Sequence, residues 1–81
     1  MDITEFIRER DEAFYDFVMT GNREKANRHF KKCGVPIPEN DRIYAGGIYM
    51  AVQHCTAIPE TVKRIAAEKC VALGFNPFVR F

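Results

Sequence analysis

Residues 43–52 read Ile43-Tyr-Ala-Gly-Gly-Ile-Tyr-Met-Ala-Val52, ten positions with no charge and no side-chain amide. This run is longer than a buried strand, which usually has about four to eight residues. Pro38 upstream suits the first turn of a helix, because the N–H that proline lacks would have no helical partner there. A helix that is apolar on every side is normally buried. We therefore predict a helix at the centre of the fold, enclosed by the other segments.

Gly46 and Gly47 oppose this prediction, since each glycine in a helix costs about 1 kcal/mol relative to alanine. Two explanations are open: another helix backbone crosses closely at the glycines, or the helix kinks there. Ala45 and Ala51 are also small. Small residues favour the first explanation, so we expect a close helix crossing at this point.

Length and composition describe a small globular protein. The chain has 81 residues, of which 47% are hydrophobic, and these values predict one domain over residues 1–81. Its net charge of +1 at pH 7 favours neither nucleic acid nor a membrane as a partner of the whole chain. The longest apolar run is far below the roughly 18 residues that cross a bilayer. We expect no membrane association.

The cysteines and the first residues predict a cytoplasmic protein. Three cysteines, an odd number without close spacing, do not form a disulfide framework. The acidic start Met1-Asp-Ile-Thr-Glu5 begins a helix and lacks the features of a signal peptide. A reduced compartment is the usual setting for such a chain.

Helical patterns on both sides of the apolar run complete an all-α fold, a compact bundle of four helices with a central apolar third helix. Apolar residues recur at three- and four-residue steps in the first and fourth segments. Glycines follow three of the helices, as is common at helix ends. At the last of them, Gly74, Phe75 is expected to fold back onto Cys70 or Val71 in a Schellman ending. The predicted helices cover Asp2–Met19, Arg23–Cys33, Pro38–Cys55 and Pro59–Leu73.

Two basic residues interrupt the apolar faces and are candidate buried charges: Arg10 in the first helix and Lys69 in the fourth. One interpretation is that their stems cover the core while the charges reach water. The other is a partly buried cation that holds a carboxylate or the C-terminal end of a helix. For Arg10 the possible acceptors are helix-end carbonyls, Glu39 or Glu60, and the terminal carboxylate of Phe81.

The second helix is basic. Residues 23–33 hold five basic side chains and one acid, whereas residues 1–20 hold six acids and two bases. A long helix, a short turn with Gly21 and a basic helix are compatible with a helix-turn-helix, and basic side chains on one face can contact phosphates. Nucleic-acid binding is therefore the alternative function, although the acidic first helix argues against it. The candidate residues are Arg23, Lys25, Arg28 and Lys32.

No spacing in the chain identifies a catalytic or metal site. His29 and Cys33 share one helical face, and His54, Cys55 and Cys70 could approach from other helices. Zinc binds such side chains, but the Cys-x-x-Cys motif of many zinc sites is absent. A cysteine nucleophile needs a base and an orienting third group, which the sequence does not identify. We expect no enzyme activity, no metal and no other cofactor.

The last residues are rich in aromatic side chains, which are enriched at protein interfaces. The leading hypothesis is a non-enzymatic protein-interaction or accessory module with an unknown protein partner, or with a second copy in a homodimer. In the other interpretation the tail packs on its own core beside Phe6 and Phe14. The candidate partner-binding residues are Phe75, Phe78 and Phe81.

The run Tyr44-Ala-Gly-Gly-Ile-Tyr-Met-Ala-Val-Gln-His-Cys-Thr-Ala-Ile-Pro-Glu60, with the ending Gly74-Phe-Asn-Pro77, resembles short uncharacterised proteins of bacterial and prophage origin in gut Firmicutes. The resemblance covers roughly the second half of the chain. It implies a cytoplasmic accessory protein, and it implies no particular activity.

Overall fold

Four α-helices form the fold in the computed structural model, which describes residues 2–77. They are α1 (Ile3–Thr20), α2 (Glu24–Cys33), α3 (Asp41–Val52) and α4 (Glu60–Ala72). The predicted all-α bundle of four helices is confirmed, and no strand occurs in residues 2–77.

Short-range hydrogen bonds set the helix boundaries. The Asp2 side chain accepts a hydrogen bond from the backbone N–H of Thr4 at 3.0 Å and caps the start of α1. At α3, the Asn40 side chain accepts from the backbone N–H groups of Arg42 and Ile43. The predicted start at Pro38 is therefore wrong, because an asparagine cap satisfies two N–H groups that a helix start leaves free.

The end of α4 follows the predicted glycine pattern. Gly74 has a φ of 87°, its N–H donates to the Val71 carbonyl, and the Phe75 N–H donates to the Cys70 carbonyl at 3.1 Å. This pair of bonds is the Schellman ending. It turns Phe75 back toward the bundle, as the sequence predicts.

The core lies where α1, α3 and α4 meet. Ile48 and Val52 of α3, Val18 of α1 and Cys70 of α4 are its largest fully buried side chains. α1 packs against each of the other helices, whereas the backbone of α2 lies beside α1 alone and α2 reaches α3 through side chains: the Tyr44 hydroxyl donates to Asn27 Oδ1 at 2.7 Å, and the Phe30 ring lies 5.9 Å from the Tyr44 ring. As a result one side of α3 remains open, and Ile43 is 53% exposed. The third helix is thus central to the core, but the expected enclosure on all sides is incomplete.

The two glycines of α3 have different surroundings. A Cβ atom on Gly46 would lie 2.5 Å from Cε2 and 2.6 Å from Cδ2 of Phe75. A Cβ atom on Gly47 would have no heavy atom within 4 Å. The expected crossing by another helix backbone is therefore wrong. Gly46 makes room for the Phe75 ring, and Gly47 is open to solvent.

Candidate functional site

The outer face of α1 carries apolar side chains that the core does not use. Four of them are large and exposed, and they follow one another at steps of four residues with an acid in the gap. Positions four apart on a helix are neighbours, each turned by about 40° around the axis from the one before, so the row winds around α1 and its two ends face different sides. We call this row the outer stripe of α1, and it consists of Ile3, Ile7, Asp11, Tyr15 and Met19.

A groove of about 570 Å³ lies against the middle of the outer stripe, where Ile7, Asp11 and Tyr15 line it, and we call it the α1 groove. Ile7 and Tyr15 line one wall, the connection Ala57–Pro59 between α3 and α4 lines the other, and Lys25 of α2 also contributes. Its volume lies within the range of about 300–1,000 Å³ that is typical of binding pockets. Most of the lining is apolar, with charged side chains at a few points.

Asp11 lies in this groove and is only 8% exposed. Its Oδ1 atom accepts two hydrogen bonds from Arg10, at 3.2 Å from Nε and 3.1 Å from Nη2. Arg10 thus holds a carboxylate, as one interpretation required, but the carboxylate belongs to its neighbour rather than to Glu39 or Glu60. Phe81, the third acceptor considered for Arg10, lies outside the described residues.

The burial of Asp11 escaped the sequence analysis, although a signal was present. Asp11 follows Ile7 by four residues and precedes Phe14 by three, so the helical period places it beside the apolar face. In the sequence it is one of the six acids of residues 1–20. An acid at a position where the pattern requires an apolar residue is the signal that could have identified it.

The Cys55 thiol is buried beside this carboxylate. Burial raises the pKa of Cys55, the positive charge of Arg10 opposes the rise, and Asp11 adds to it. The thiol also donates a hydrogen bond to the Ala51 carbonyl at 3.4 Å. Cys55 therefore remains protonated near neutral pH and acts as a small apolar residue.

Lys69, the second candidate buried charge, binds a helix end. Its Nζ atom donates a hydrogen bond to the Val18 carbonyl at 2.7 Å. α1 has no basic residue in its last turn, where a cation interacts favourably with the helix dipole. Lys69 supplies that cation from α4 and so ties the two helices together.

Phe75, the first candidate partner-binding residue, packs partly against α3. Its ring is half-buried against Gly46, and the guanidinium carbon of Arg42 lies 4.3 Å from the ring centroid. The same Arg42 side chain donates from Nε to the Leu73 carbonyl. The candidate partner-binding role of Phe75 stays a prediction, and Arg42 and α3 cover part of the ring. Phe78 and Phe81 lie outside the described residues.

The candidate nucleic-acid residues are mostly paired within the chain. Lys25 is exposed and forms no ion pair within residues 2–77. Exposed ion pairs contribute only about 0–1 kcal/mol each, so a phosphate could compete for these side chains. The pairs are Arg23 with Asp41 at 2.9 Å, Arg28 with Glu24 at 3.1 Å, and Lys32 with Glu9 at 3.0 Å.

His29 and Cys33 meet as their spacing suggests, with 3.5 Å between Nε2 and Sγ. The imidazole is buried against the rings of Phe6 and Phe14. Burial lowers the pKa of His29, and the charge of Arg10 lowers it further. Among residues 2–77, no hydrogen-bond partner reaches the Nδ1 atom. The group that would orient a catalytic base is therefore missing from this pair.

The remaining histidine and cysteines do not converge with that pair. His54 is exposed, whereas Cys55 and Cys70 are buried in the core. Within residues 2–77, no three His, Cys, Asp or Glu side chains are grouped so that they could hold a metal ion.

A second apolar surface lies on the open side of α3, and we call it the α3 surface. It borders a cavity of about 240 Å³ whose lining contains no charged residue. Ile43, Gly47 and Ala51 contribute to it from α3, and Val35 contributes from the α2–α3 connection. Charged residues are depleted at the centres of protein interfaces, so this surface also has the composition of a contact region.

Comparison of the chain with protein-family models, curated proteins and solved structures gave no match. The resemblance of residues 44–60 to short bacterial and prophage proteins therefore stays a prediction. None of the four described helices has the length and apolar character needed to cross a lipid bilayer.

Proposed function

We propose that this protein is a non-catalytic interaction module that binds a helix of another protein in the α1 groove. The observation that carries the proposal is the outer stripe of α1. α1 buries Phe14, Phe17 and Val18 in the core and still exposes a second apolar row on its other side. Single exposed apolar residues are normal, but Ile7 and Tyr15 line one groove together with Ile58, and apolar side chains grouped in this way are typical of an interaction site.

The geometry of the stripe suits a helical partner. Ile7 and Tyr15, the apolar members of the stripe that line the groove, are eight residues apart, which corresponds to about 12 Å along a helix. Rows of side chains four residues apart interdigitate with similar rows of a second helix at a crossing angle of about −50°. At such an angle the closest contacts occur near the middle of the row, at Ile7 and Tyr15. Helices bind in apolar grooves through anchor residues of this spacing.

We propose an accessory role in the cytoplasm. Cys33, Cys55 and Cys70 are all free, and Cys33 is exposed. An exposed free thiol is compatible with a reducing compartment.

Matched variants test the groove in cell lysate. Tyr15→Lys places a charge in the groove, whereas Val71→Lys adds the same charge at a site on α4 that is 61% exposed. Tagged wild-type protein and Val71→Lys are expected to retain the same partner in quantitative mass spectrometry, and Tyr15→Lys is expected to lose it. Equal retention by all three proteins would contradict binding through the groove.

A homodimer is a second candidate, and the α3 surface is the observation that favours it. Gly47 leaves room for a close approach of a second backbone, and the surrounding cavity has no charge to desolvate. Light scattering during size-exclusion chromatography is expected to show a dimer that Gly47→Glu disrupts. A wild-type monomer at high concentration would exclude this candidate.

Nucleic-acid binding remains a third candidate because Lys25 and Arg28 are exposed on α2. Phosphate contacts make binding fall steeply with salt. Retention on heparin or duplex DNA at low salt, abolished by Lys25→Glu with Arg28→Glu, would favour this candidate. Absence of retention by the folded wild-type protein would exclude it.

A further inference from the structure

We propose that His29 makes the contact between α1 and α2 sensitive to acid: when its imidazole binds a proton, α2 separates from α1 while the rest of the bundle stays folded. This inference goes beyond the proposed function and does not depend on the α1 groove. His29 is 7% exposed and lies at the interface of the two helices. Its ring centroid is 5.0 Å from that of Phe6 and 6.0 Å from that of Phe14.

The hydrogen bonds of His29 suit a neutral ring better than a protonated one. A protonated imidazole carries two N–H donors, and each needs an acceptor when it is buried. Nε2 faces the Cys33 sulfur at 3.5 Å, and sulfur is a weak acceptor. Within residues 2–77, Nδ1 is a buried atom that no partner reaches. A proton would therefore place a positive charge in the interface without the acceptors that a buried cation needs.

The charges beside the ring also oppose a proton. Burial lowers the pKa of His29. The positive charges of Arg10 and Lys32 lower this pKa further, and Glu9 opposes them. Glu9 is bound to Lys32 at 3.0 Å, which reduces the help that it gives to a cation. A cavity of about 290 Å³ lies beside the ring, lined from α1 and α2. The titratable and charged residues that face His29 are Glu9, Arg10 and Glu12 of α1, with Lys25, Arg28, Lys32 and Cys33 of α2.

α2 is the helix that the bundle can lose without opening its core. The largest fully buried side chains belong to α1, α3 and α4. Of the residues of α2, Ala26 and His29 are buried, and Phe30 is half-buried. A helix of ten residues is marginal alone in water, so α2 depends on its contact with α1. Segments with few buried contacts open at a lower free energy than the whole fold. Opening of α2 alone is therefore enough to bring His29 into water.

The pH decides how often α2 opens. In the open form His29 is in water and has its ordinary pKa of about 6.5, whereas its pKa is lower in the closed form. Well above pH 6.5 the ring is neutral in both forms, and the opening equilibrium is independent of this residue. As the pH falls below about 6.5, the open form binds the proton first, so opening becomes more favourable. Between pH 7.5 and 5.5 the opening constant rises by up to about tenfold, which is the limit for a closed form that binds no proton.

Hydrogen exchange read by mass spectrometry tests the proposal on the whole protein at pH 7.5 and 5.5, after correction for the intrinsic effect of pH on exchange. The variants are His29→Gln, which removes the titrating ring, and the matched control His54→Gln at the exposed histidine. We expect the protection of residues 24–33 to fall by up to about tenfold at pH 5.5 in the wild type and His54→Gln, and to stay constant in His29→Gln. At both pH values α2 should exchange faster than α3 and α4.

Two further readouts use the wild type alone, so they do not require a variant to fold. Cys55 and Cys70 are buried in the core, and they are expected to stay unreactive toward dithiodipyridine for longer than α2 takes to exchange. The ring signals of His29 in NMR spectra give the midpoint of its protonation, which is expected to lie below about pH 6.5.

Four results would overturn the proposal. The first is α2 protection in the wild type that does not change between the two pH values. The second is a loss of α2 protection at pH 5.5 that is equal in the wild type and His29→Gln. The third is reaction of Cys55 and Cys70 at the rate at which α2 exchanges, because the whole fold would then open together. The fourth is a midpoint of His29 protonation at or above about pH 6.5.

Discussion

Replacement of Gly46 by alanine changes the free energy of unfolding, and the position of the Phe75 ring decides whether the protein becomes more or less stable. The new Cβ atom would lie 2.5 Å from Cε2 of that ring, so the ring must move away from α3. Gly47 is the matched control on the same helix, because a Cβ atom there meets nothing within 4 Å. The two substitutions have the same chemistry and differ only in what approaches the glycine.

The magnitudes follow from the contacts. Alanine in place of glycine within a helix stabilises the fold by about 1 kcal/mol. Displacement of the half-buried Phe75 ring costs about 1 kcal/mol of apolar burial, since full burial of a phenylalanine is worth about 1.5–3 kcal/mol. The lost stacking with Arg42 adds about 0.5–1 kcal/mol. Gly46→Ala should therefore destabilise the protein by about 0.5–1 kcal/mol, whereas Gly47→Ala should stabilise it by about 1 kcal/mol.

Thermal and urea unfolding followed by circular dichroism measures both effects. A change of 1 kcal/mol shifts the Tm of a domain of this size by about 4–8 °C. In a Phe75→Ala background the ring is absent, so Gly46→Ala should become stabilising by about 1 kcal/mol. If Gly46→Ala stabilises the wild type as much as Gly47→Ala does, Phe75 does not occupy this place and the assigned packing of the tail is wrong.

Three further predictions concern the charged and titrating groups. Lys69→Met removes the hydrogen bond to the Val18 carbonyl at the end of α1, so the free energy of unfolding measured in urea should fall by about 1–2 kcal/mol. An unchanged urea midpoint would mean that the contact contributes nothing to stability. The pKa of His29 is lowered in the folded protein, so the unfolded chain binds more protons than the folded one as the pH falls below about 6.5. The Tm of the wild type should therefore drop between pH 7.5 and 5.5. A drop of equal size in His29→Gln would refute this cause. Arg10→Met leaves the nearly buried Asp11 carboxylate without its main hydrogen-bond donor. Because the Arg10 side chain is 33% exposed, we expect the free energy of unfolding in urea to fall by only about 1–2 kcal/mol. Arg10→Lys should lose less stability than Arg10→Met.

Features that depend on neighbouring residues were predictable from the sequence. The four helices follow from apolar periodicity, and the Schellman ending follows from Gly74 and the apolar residue after it. The start of α3 was placed too early, because both Pro38 and Asn40 are suitable helix-start residues and the sequence does not rank them. Local hydrogen bonds decide such boundaries, and α3 begins after Asn40 because the Asn40 side chain caps it.

Features that depend on distant residues were not predictable in the same way. The pattern in α3 indicates that something approaches Gly46, but it cannot show that the side chain of Phe75, 29 positions later in the sequence, does so. The α1 groove likewise requires the connection Ala57–Pro59 to lie beside Tyr15. The stripe itself was readable, since its members are four residues apart. The exposure of the stripe depends on how α1 is oriented in the bundle. The acid Asp11 at the centre of the stripe also interrupts the apolar pattern by which the stripe is recognised in the sequence.

The most direct test of the central claim is photocrosslinking in cells at the outer stripe. p-Benzoylphenylalanine at position 15 replaces Tyr15 with a similar aromatic ring in the α1 groove, and the same residue at position 71 replaces Val71 on the exposed side of α4. Irradiation is expected to join the position 15 protein to one discrete partner of a different mass, with no such product from position 71. Crosslinks of equal yield from both positions, or none from position 15 when the protein is folded and abundant, would contradict the assignment of the α1 groove as a binding site.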